Sequence, residues 1–422
     1  MCKDARERNK WKVRIADWAG ALKNQVSRPV RKLIAEVVYG ILSSGCLQLC
    51  TIARSLNEDS RLHHTVKRLS RMLGSHSEVT WAAEELLLER LGSRITDEMI
   101  VAIDPGDLNR DGSPKSECIG QVRDGDKGDI INGYPLMHVV ARDISTGESL
   151  PLLTRLLSSN RNAYRSENCD IKSAMTTVSR HLPGDPLWVI DRGGDRLTLW
   201  NTWIEDGNRV LVRAANQRFW LWRDQQKTAQ QIANVLPLKH TGQLKRHGSA
   251  RVRFGLTKVF LREYEDTPLT LIVVRHGKQE PLVLVTTEQA RGRRQGEKLI
   301  QHYMDRWACE EGYRFSKQGF NLEKVQARKF TTLQNLVALA SLAWGLLAYY
   351  QHDSKHLVKM SKRQKKKAPK VFPFYTILLG WQALFKQAKT VFYTWWRKSK
   401  PDKGPPMADL FEDYDGLLPC RG

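Results

Sequence analysis

The stretch HYMDRWACEEGYRFSK, residues 302–317, decides how this chain is read. On a helix turning about 100° per residue and measured from Tyr303, Arg306 falls at about −60°, Glu310 at about −20° and Lys317 at about −40°. One tyrosine, two cations and one acid therefore share a narrow stripe, provided that the helix runs through Gly312. A solvated face is the simpler account, because Arg306 and Glu310 stand four residues apart and such pairs form on exposed helices. A solvated face alternates its charges, however, and this polar file is flanked by Trp307 and Phe315. It calls for a reason beyond solvation.

Outward from that stretch, two further acids stand where an apolar run stops, Asp104 in VAIDPG and Asp191 in WVIDRGG. Strand ends bring side chains to the carboxyl edge of a sheet, where α/β proteins build sites. Either acid alone means little, since an Asp before Pro-Gly reads as a turn residue. Asp107 competes with Asp104 but lies past the expected Pro-Gly turn.

The texture of the chain places these residues. Residues 1–95 read as helices, KLIAEVVYGIL, CLQLCTIARSL and SRLHHTVKRLSRML, and the pair around NEDS resembles a helix-turn-helix. With 17 basic and 10 acidic residues this segment carries +7, which suits contact with DNA; a helical bundle with a solvated face is the alternative. From about 96, EMIVAIDPGDL, GYPLMHVVARD and ESLPLLTRLL read as three consecutive strands. A helix near 168–182, the strand PLWVID and the helix LTLWNTWIEDG follow, which predicts a mixed sheet with helices on its faces. Residues 208–287 form a second β-rich block, NRVLVRAA, SARVRFGLTKVFL, LTLIVVRH and PLVLVTT, large enough to be an insertion in the first sheet's chain. Helical character returns from 294, and TLQNLVALASLAWGLLAYY reads as a core helix rather than a membrane span. Residues 351–400 hold 13 basic residues and one acid, +12, including KMSKRQKKKAPK; residues 401–422 are acidic, rich in Pro and Gly, and read as disordered.

The bulk numbers agree with a polyanion as partner. The 422 residues suffice for two or three domains at about 150 each, and 68 Lys plus Arg against 45 Asp plus Glu give +23. A pI near 9.8 is a standing positive field suited to nucleic acid, with a cationic membrane-surface protein as the competitor. No stretch has the roughly 18 apolar residues of a span, and MCKDARERNKWK lacks the apolar block of a signal peptide, so a soluble cytoplasmic protein is expected. Seven irregularly spaced cysteines predict reduced thiols rather than a disulfide framework. Cys46-x3-Cys50 with His63 and His64 downstream lacks a second histidine at finger spacing, so helix packing accounts for it.

The polar file resembles the signature Y-x2-R-x3-E-x6-K (YREK) of bacterial insertion-sequence DDE transposases, the family that includes the hairpin-forming cut-and-paste enzymes. Tyr303, Arg306, Glu310 and Lys317 match it at every position. The family's first acid ends a strand, as Asp104 is expected to. Its second opens an Asp-Arg-x-x-Asp segment, as in Asp191-Arg192-Gly193-Gly194-Asp195. The resemblance covers roughly 96–345. It implies an α/β, ribonuclease-H-like mixed sheet with flanking helices and a β-rich insertion between the second Asp and the Glu. The division expected is a helical DNA-binding region at 1–95, a catalytic core at 96–207 and 288–350, the insertion at 208–287, a basic helical region at 351–400 and the tail at 401–422.

The resemblance implies catalytic roles for Asp104, Asp191 and Glu310 as ligands of two Mg²⁺ ions, with Mn²⁺ as a substitute, and DNA contacts for Tyr303, Arg306 and Lys317. Those residue types suit such roles, because hard cations prefer carboxylate oxygen, and a guanidinium fork, an ammonium and a phenol suit phosphate. The implied partner is double-stranded DNA, both terminal inverted repeats and target, held by a homodimer that pairs two ends in a bacterial, nucleoid-associated setting without a membrane. One departure concerns the hairpin step: Leu282 stands where some members carry a base-stacking tryptophan, so either Trp220 or Trp222 substitutes or base extrusion is handled differently; the two alternate on an expected strand, one reading as core and the other as exposed, with core packing the better reading for either alone. The alternatives to a transposase are a non-catalytic DNA-binding protein derived from one, which the intact acids argue against, and a simple ribonuclease-H-type nuclease, which would need neither basic flank.

Overall fold

Two short parallel strands carry the centre of the molecule. β1 (Ile100–Asn109) lies parallel to β5 (Leu187–Ile190), and β5 parallel to β6 (Val210–Arg213). Parallel neighbours need a crossover, and the helices α6 (Glu167–Ser179) before β5 and α7 (Leu197–Glu205) before β6 supply it. On the other side of β1, β3 (Ile130–Arg142) runs antiparallel; beyond it β2 (Gly120–Arg123) and β4 (Ser149–Leu156) pair with successive parts of β3. The sequence did not announce β2, whose four residues offer too short an alternation to read.

The computed structural model describes residues 3–125, 128–244, 250–362 and 372–386. Within them the sheet does not stop at β6. β12 (Leu282–Thr286) pairs antiparallel with β6, then β11 (Tyr264–Arg275), β10 (Ala250–Leu261), β7 (Phe219–Trp222) and β8 (Gln225–Thr228) follow, with β9 (His240–Leu244) also on β10. The short helix α8 (Ala229–Val235) follows β8 and opens on a capping box between Thr228 and Gln231. The block at 208–287 thus extends one mixed sheet, and its first strand belongs with the parallel set.

Helices α1 (Lys3–Ala21), α2 (Arg28–Ser44), α3 (Leu49–Leu56), α4 (Leu62–Ser75) and α5 (Glu78–Gly92) make up the N-terminal region. After β12 come α9 (Gly292–Asp305), α10 (Trp307–Gly319), α11 (Phe330–Tyr349), α12 (Lys355–Ser361) and α13 (Pro373–Lys386). The apolar α11 is long enough to cross a membrane, yet it lies enclosed by α2, α4, α5 and β4. Asn335 on it is fully buried and donates to the carbonyls of Leu73 and His76, so its polar atoms are met inside the protein. Cys46, Cys50, Cys118, Cys169 and Cys309 are free thiols. Most of KMSKRQKKKAPK and all of 401–422 lie outside the described residues.

Two expectations fail here. β1 does not end at Asp104: it continues through Pro105 and Gly106 to Asn109, because β3 still pairs with it there although β5 does not. The signature stretch is not one helix either, since α9 ends at Asp305 and α10 begins at Trp307. α10 does run through Gly312, and a reason for that glycine is visible. A Cβ there would stand 2.2 Å from Cη2 of the buried Trp344 on α11. Gly312→Ala should therefore lower stability by about 1–3 kcal/mol through overpacking, against the gain of roughly 0.5–1 kcal/mol that Ala brings to an unobstructed helix. A thermal melt lower by several degrees is expected; an unchanged or raised melting temperature would show that Trp344 yields.

Candidate active site

The sheet register builds the acidic pair. Ile103 stands beside Ile190 at the last step of the parallel β1–β5 ladder, so Asp104 and Asp191 follow as neighbours where the two strands part. Side chains alternate along a strand, which puts Asp191 on the face of Leu187 and Val189. That face is covered by Leu299, Ile300 and Tyr303 of α9. On its other side Asp104 lies opposite His138 of β3, a buried imidazole that accepts from or donates to Thr154 and is held neutral by burial, its pKa lowered to about 3.

Arg306 occupies the joint between α9 and α10. The joint closes with tight turns, Arg306 N donating to the Tyr303 carbonyl (3.2 Å) and Cys309 N to the Arg306 carbonyl (2.8 Å). From there the guanidinium reaches all three candidate acids: Glu310 Oε1 at 2.6 Å, Asp104 Oδ1 at 3.6 Å and Asp191 Oδ2 at 3.9 Å. The Tyr303 hydroxyl donates to Asp191 Oδ1 at 2.8 Å. Five of the six sequence-predicted residues therefore form one cluster, with Arg306 only 7 % exposed at its centre.

The charges respond to that crowding. Burial pushes the Asp104 carboxyl up to about 7; Arg306 pulls it down, and Glu310 and Asp191 push it up further. For Asp191 burial also acts upward, but the Arg306 charge and the Tyr303 hydrogen bond outweigh it and hold the carboxyl below its usual range. Arg306 loses by burial and gains more from its carboxylates, so its guanidinium stays charged. Tyr303 is raised by burial and by Asp191, which keeps its proton available for donation.

The donor set is oxygen only, which fits a hard divalent cation and no thiophilic one. The three carboxylates already surround a positive charge, and that charge belongs to a guanidinium. Among the described residues no three His, Cys, Asp or Glu side chains are grouped closely enough to hold a metal ion as they stand.

Lys317 is placed elsewhere. Its Nζ lies 2.9 Å from Glu323 and 3.7 Å from Asp107, and it sits over the Tyr313 ring at 4.6 Å. Tyr313, in the signature stretch but outside its polar file, ties α10 to β1. Its hydroxyl accepts from Asp107 N at 3.2 Å and donates to the Asp107 carbonyl, and its ring comes within 3.3 Å of where a Gly106 Cβ would be. Burial and Lys317 act oppositely on Asp107, and burial prevails to raise it. No sequence signal marked Asp107 as the partner of Lys317, because a turn was expected where the strand continues.

Asp195 closes the Asp-Arg-x-x-Asp segment structurally. It accepts from Trp200 Nε1 (2.8 Å), Ala215 N (2.7 Å) and Arg218 Nε (3.0 Å), fixing the loop after β5 to the chain that leads into β7. Trp220 and Trp222, two residues apart on β7, share one face and are both buried, Trp220 against Trp200 and Trp222 donating to Thr257 at 2.8 Å. Neither presents a ring for stacking: core packing, the better reading for each alone, holds for both, while the expectation that one would be exposed overlooked the two-residue period, and it is Phe219 that is 55 % exposed.

No family model matches the sequence, and no curated protein matches it. Among solved structures the chain aligns with the cryo-EM structure of a piggyBac transposase synaptic complex with hairpin DNA, at a TM-score of 0.44 and 11% identity over 94% of this chain and 84% of that one. A likeness of that extent assigns no role to any residue.

The raised Asp104 has a consequence for stability. In the unfolded chain its carboxyl loses a proton near 3.8, and in the folded chain only near about 7. Ionisation thus opposes folding increasingly as pH rises across that window, and fully above it. In metal-free buffer the melting temperature of wild type should fall relative to Asp104→Asn between pH 4 and pH 8. Parallel melting profiles over that range would show that Arg306 compensates the charge.

Proposed function

We propose that this chain is a metal-dependent DNA transposase of the DDE type, which cuts the ends of an insertion sequence and joins them to a target. The observation that carries the reading is the convergence of Asp104, Asp191 and Glu310 on Arg306, with Tyr303 on Asp191. The strand order β4-β3-β1-β5-β6, with two antiparallel steps followed by two parallel ones, supports a ribonuclease-H-like core. The strands β7 to β12, lying between the second acid and Glu310, support an insertion within it.

In this reading Asp104, Asp191 and Glu310 would hold two Mg²⁺ ions, or Mn²⁺ in their place, which when bound activate the attacking oxygen and stabilise the leaving one. The chain's own groups do the rest. Arg306 offers a planar fork to a phosphate, Tyr303 a hydroxyl donor, and Lys317 a point charge at the far end of α10. Two ends must be brought together, so the working form is a homodimer on inverted repeats and target DNA, at the nucleoid. The closed Arg306 cluster favours a second reading, a non-catalytic DNA-binding protein derived from a transposase, since the guanidinium already satisfies the acids.

Cleavage of duplex carrying the DNA that flanks the native gene, run with and without Mg²⁺, separates the two. Asp104→Ala, Asp191→Ala and Glu310→Ala should each abolish Mg²⁺-dependent cutting, a loss of at least about a hundredfold, while binding to the same duplex stays within a few-fold. Cutting that survives in one variant removes that residue from the site, and no cutting by wild type leaves the non-catalytic reading. Lys317→Ala should weaken binding to a cleaved end more than to random duplex, measured by fluorescence anisotropy; equal weakening would make Lys317 a general phosphate contact.

A further inference from the structure

The geometry points to the outward face of α4 as the surface that enters the major groove of duplex DNA, with Lys67 and Arg71 on phosphates and His63 and Ser70 at base edges. This deepens the transposase reading and rests on it for the choice of DNA. α3 and α4 are joined by residues 57–61, with Asn57 in the left-handed region (φ 47°) ending α3. α4 buries Thr65, Leu69 and Leu73 as its inner stripe, and Gly74 in its last turn is covered by Lys329. At about 100° per residue, His63, Lys67, Ser70 and Arg71 span an arc of about 100° on the side away from that stripe. All four are exposed.

The charges on α4 are sorted by face. Arg68, toward the inner side, is held by Glu36 and Glu58 at 2.8 Å each, and Thr65 donates to Glu58 at 2.6 Å. Glu36 and Glu58 are therefore turned toward Arg68, while Asp59 in the connection is exposed. Lys67 and Arg71 have no hydrogen-bond or ion-pair partner among the described residues. Between them lies a shallow hollow lined by Leu62, His63, Val66, Lys67, Ser70 and Arg71.

A polyanion suits this face through its charge, since Lys67 and Arg71 stand exposed and unpaired among the described residues, whereas the hollow itself is lined mostly by apolar surface. The major groove of B-form DNA, about 12 Å wide, admits a helix about 10–12 Å across. The groove of A-form RNA does not. The short α3, whose exposed Arg54 stands at its last turn, would then cross the backbone as the first helix of such a pair does.

The test uses the full chain and duplexes of the native flanking sequence, of scrambled sequence, and of RNA, with the salt dependence of binding followed by anisotropy. Lys67→Ala with Arg71→Ala should reduce the log–log salt slope by about 2 on both DNA duplexes, near 0.9 per lost phosphate contact. His63→Ala with Ser70→Ala should narrow the preference for native over scrambled DNA about tenfold and leave the slope unchanged. In unmutated protein, Lys67 should be shielded from acetylation by bound duplex, which needs no variant to fold. Unchanged slope and unshielded Lys67 in a wild type that binds DNA overturn the assignment alone, as does equal or tighter binding to the RNA duplex. DNA bound through α4 without any Mg²⁺-dependent cutting sustains the assignment and overturns the catalytic reading instead.

Discussion

The structure around the candidate site depends on one guanidinium. Three carboxylates drawn from β1, the end of β5 and α10 meet in a partly dry place, and each pair repels. Without a central cation the arrangement costs free energy, since like charges a few ångströms apart cannot all stay ionised in low dielectric. Arg306 supplies that cation, and the joint between α9 and α10 is what brings it there. Arg306 keeps helical dihedrals at the joint (φ −51°, ψ −31°), and its guanidinium lies 5.7 Å from the Tyr303 ring while reaching all three acids. The partial neutralisation is visible in the divergent carboxyls, Asp191 lowered and Asp104 raised to about 7.

How legible this was differs by residue. The order and type of the major elements could be read because their patterns are local: branched apolar runs for β1, β3 and β5, and a continuous apolar run for α11. Tyr303, Arg306 and Glu310 could be named because residue type and spacing carry the signal, whereas Asp104 and Asp191 were marked only by apolar runs that stop, and β1 in fact continues past Asp104. The continuation of β1 past Pro105 could not, because the β3 partner that holds it there is more than twenty residues away. The break at Arg306 was hidden too, since no Pro or Gly marks it and Arg306 itself keeps helical dihedrals there.

Asp195 and Tyr313 illustrate the remaining gap. Both stand inside segments that carry candidate site residues, yet their work depends on partners far along the chain, Ala215 and Arg218 for one and Asp107 for the other. An acid in a motif reads as chemistry; only its three donors and complete burial show Asp195 to be a fastening of the loop. A buried carboxylate that already accepts from three donors has little left to offer a ligand.

α10 gathers these constraints. Gly312 lets it approach Trp344 on one side, and Tyr313 seats it on β1 beside Gly106 on the other, so its middle is fixed by close contact in two directions. Its ends carry the charge: Glu310 faces Arg306 and the strand acids, and Lys317, about 10 Å further along the axis, faces Asp107 and Glu323. The two clusters are therefore held at a set separation by a rod clamped at its centre. The seven-residue step from Glu310 to Lys317 is the sequence expression of that distance.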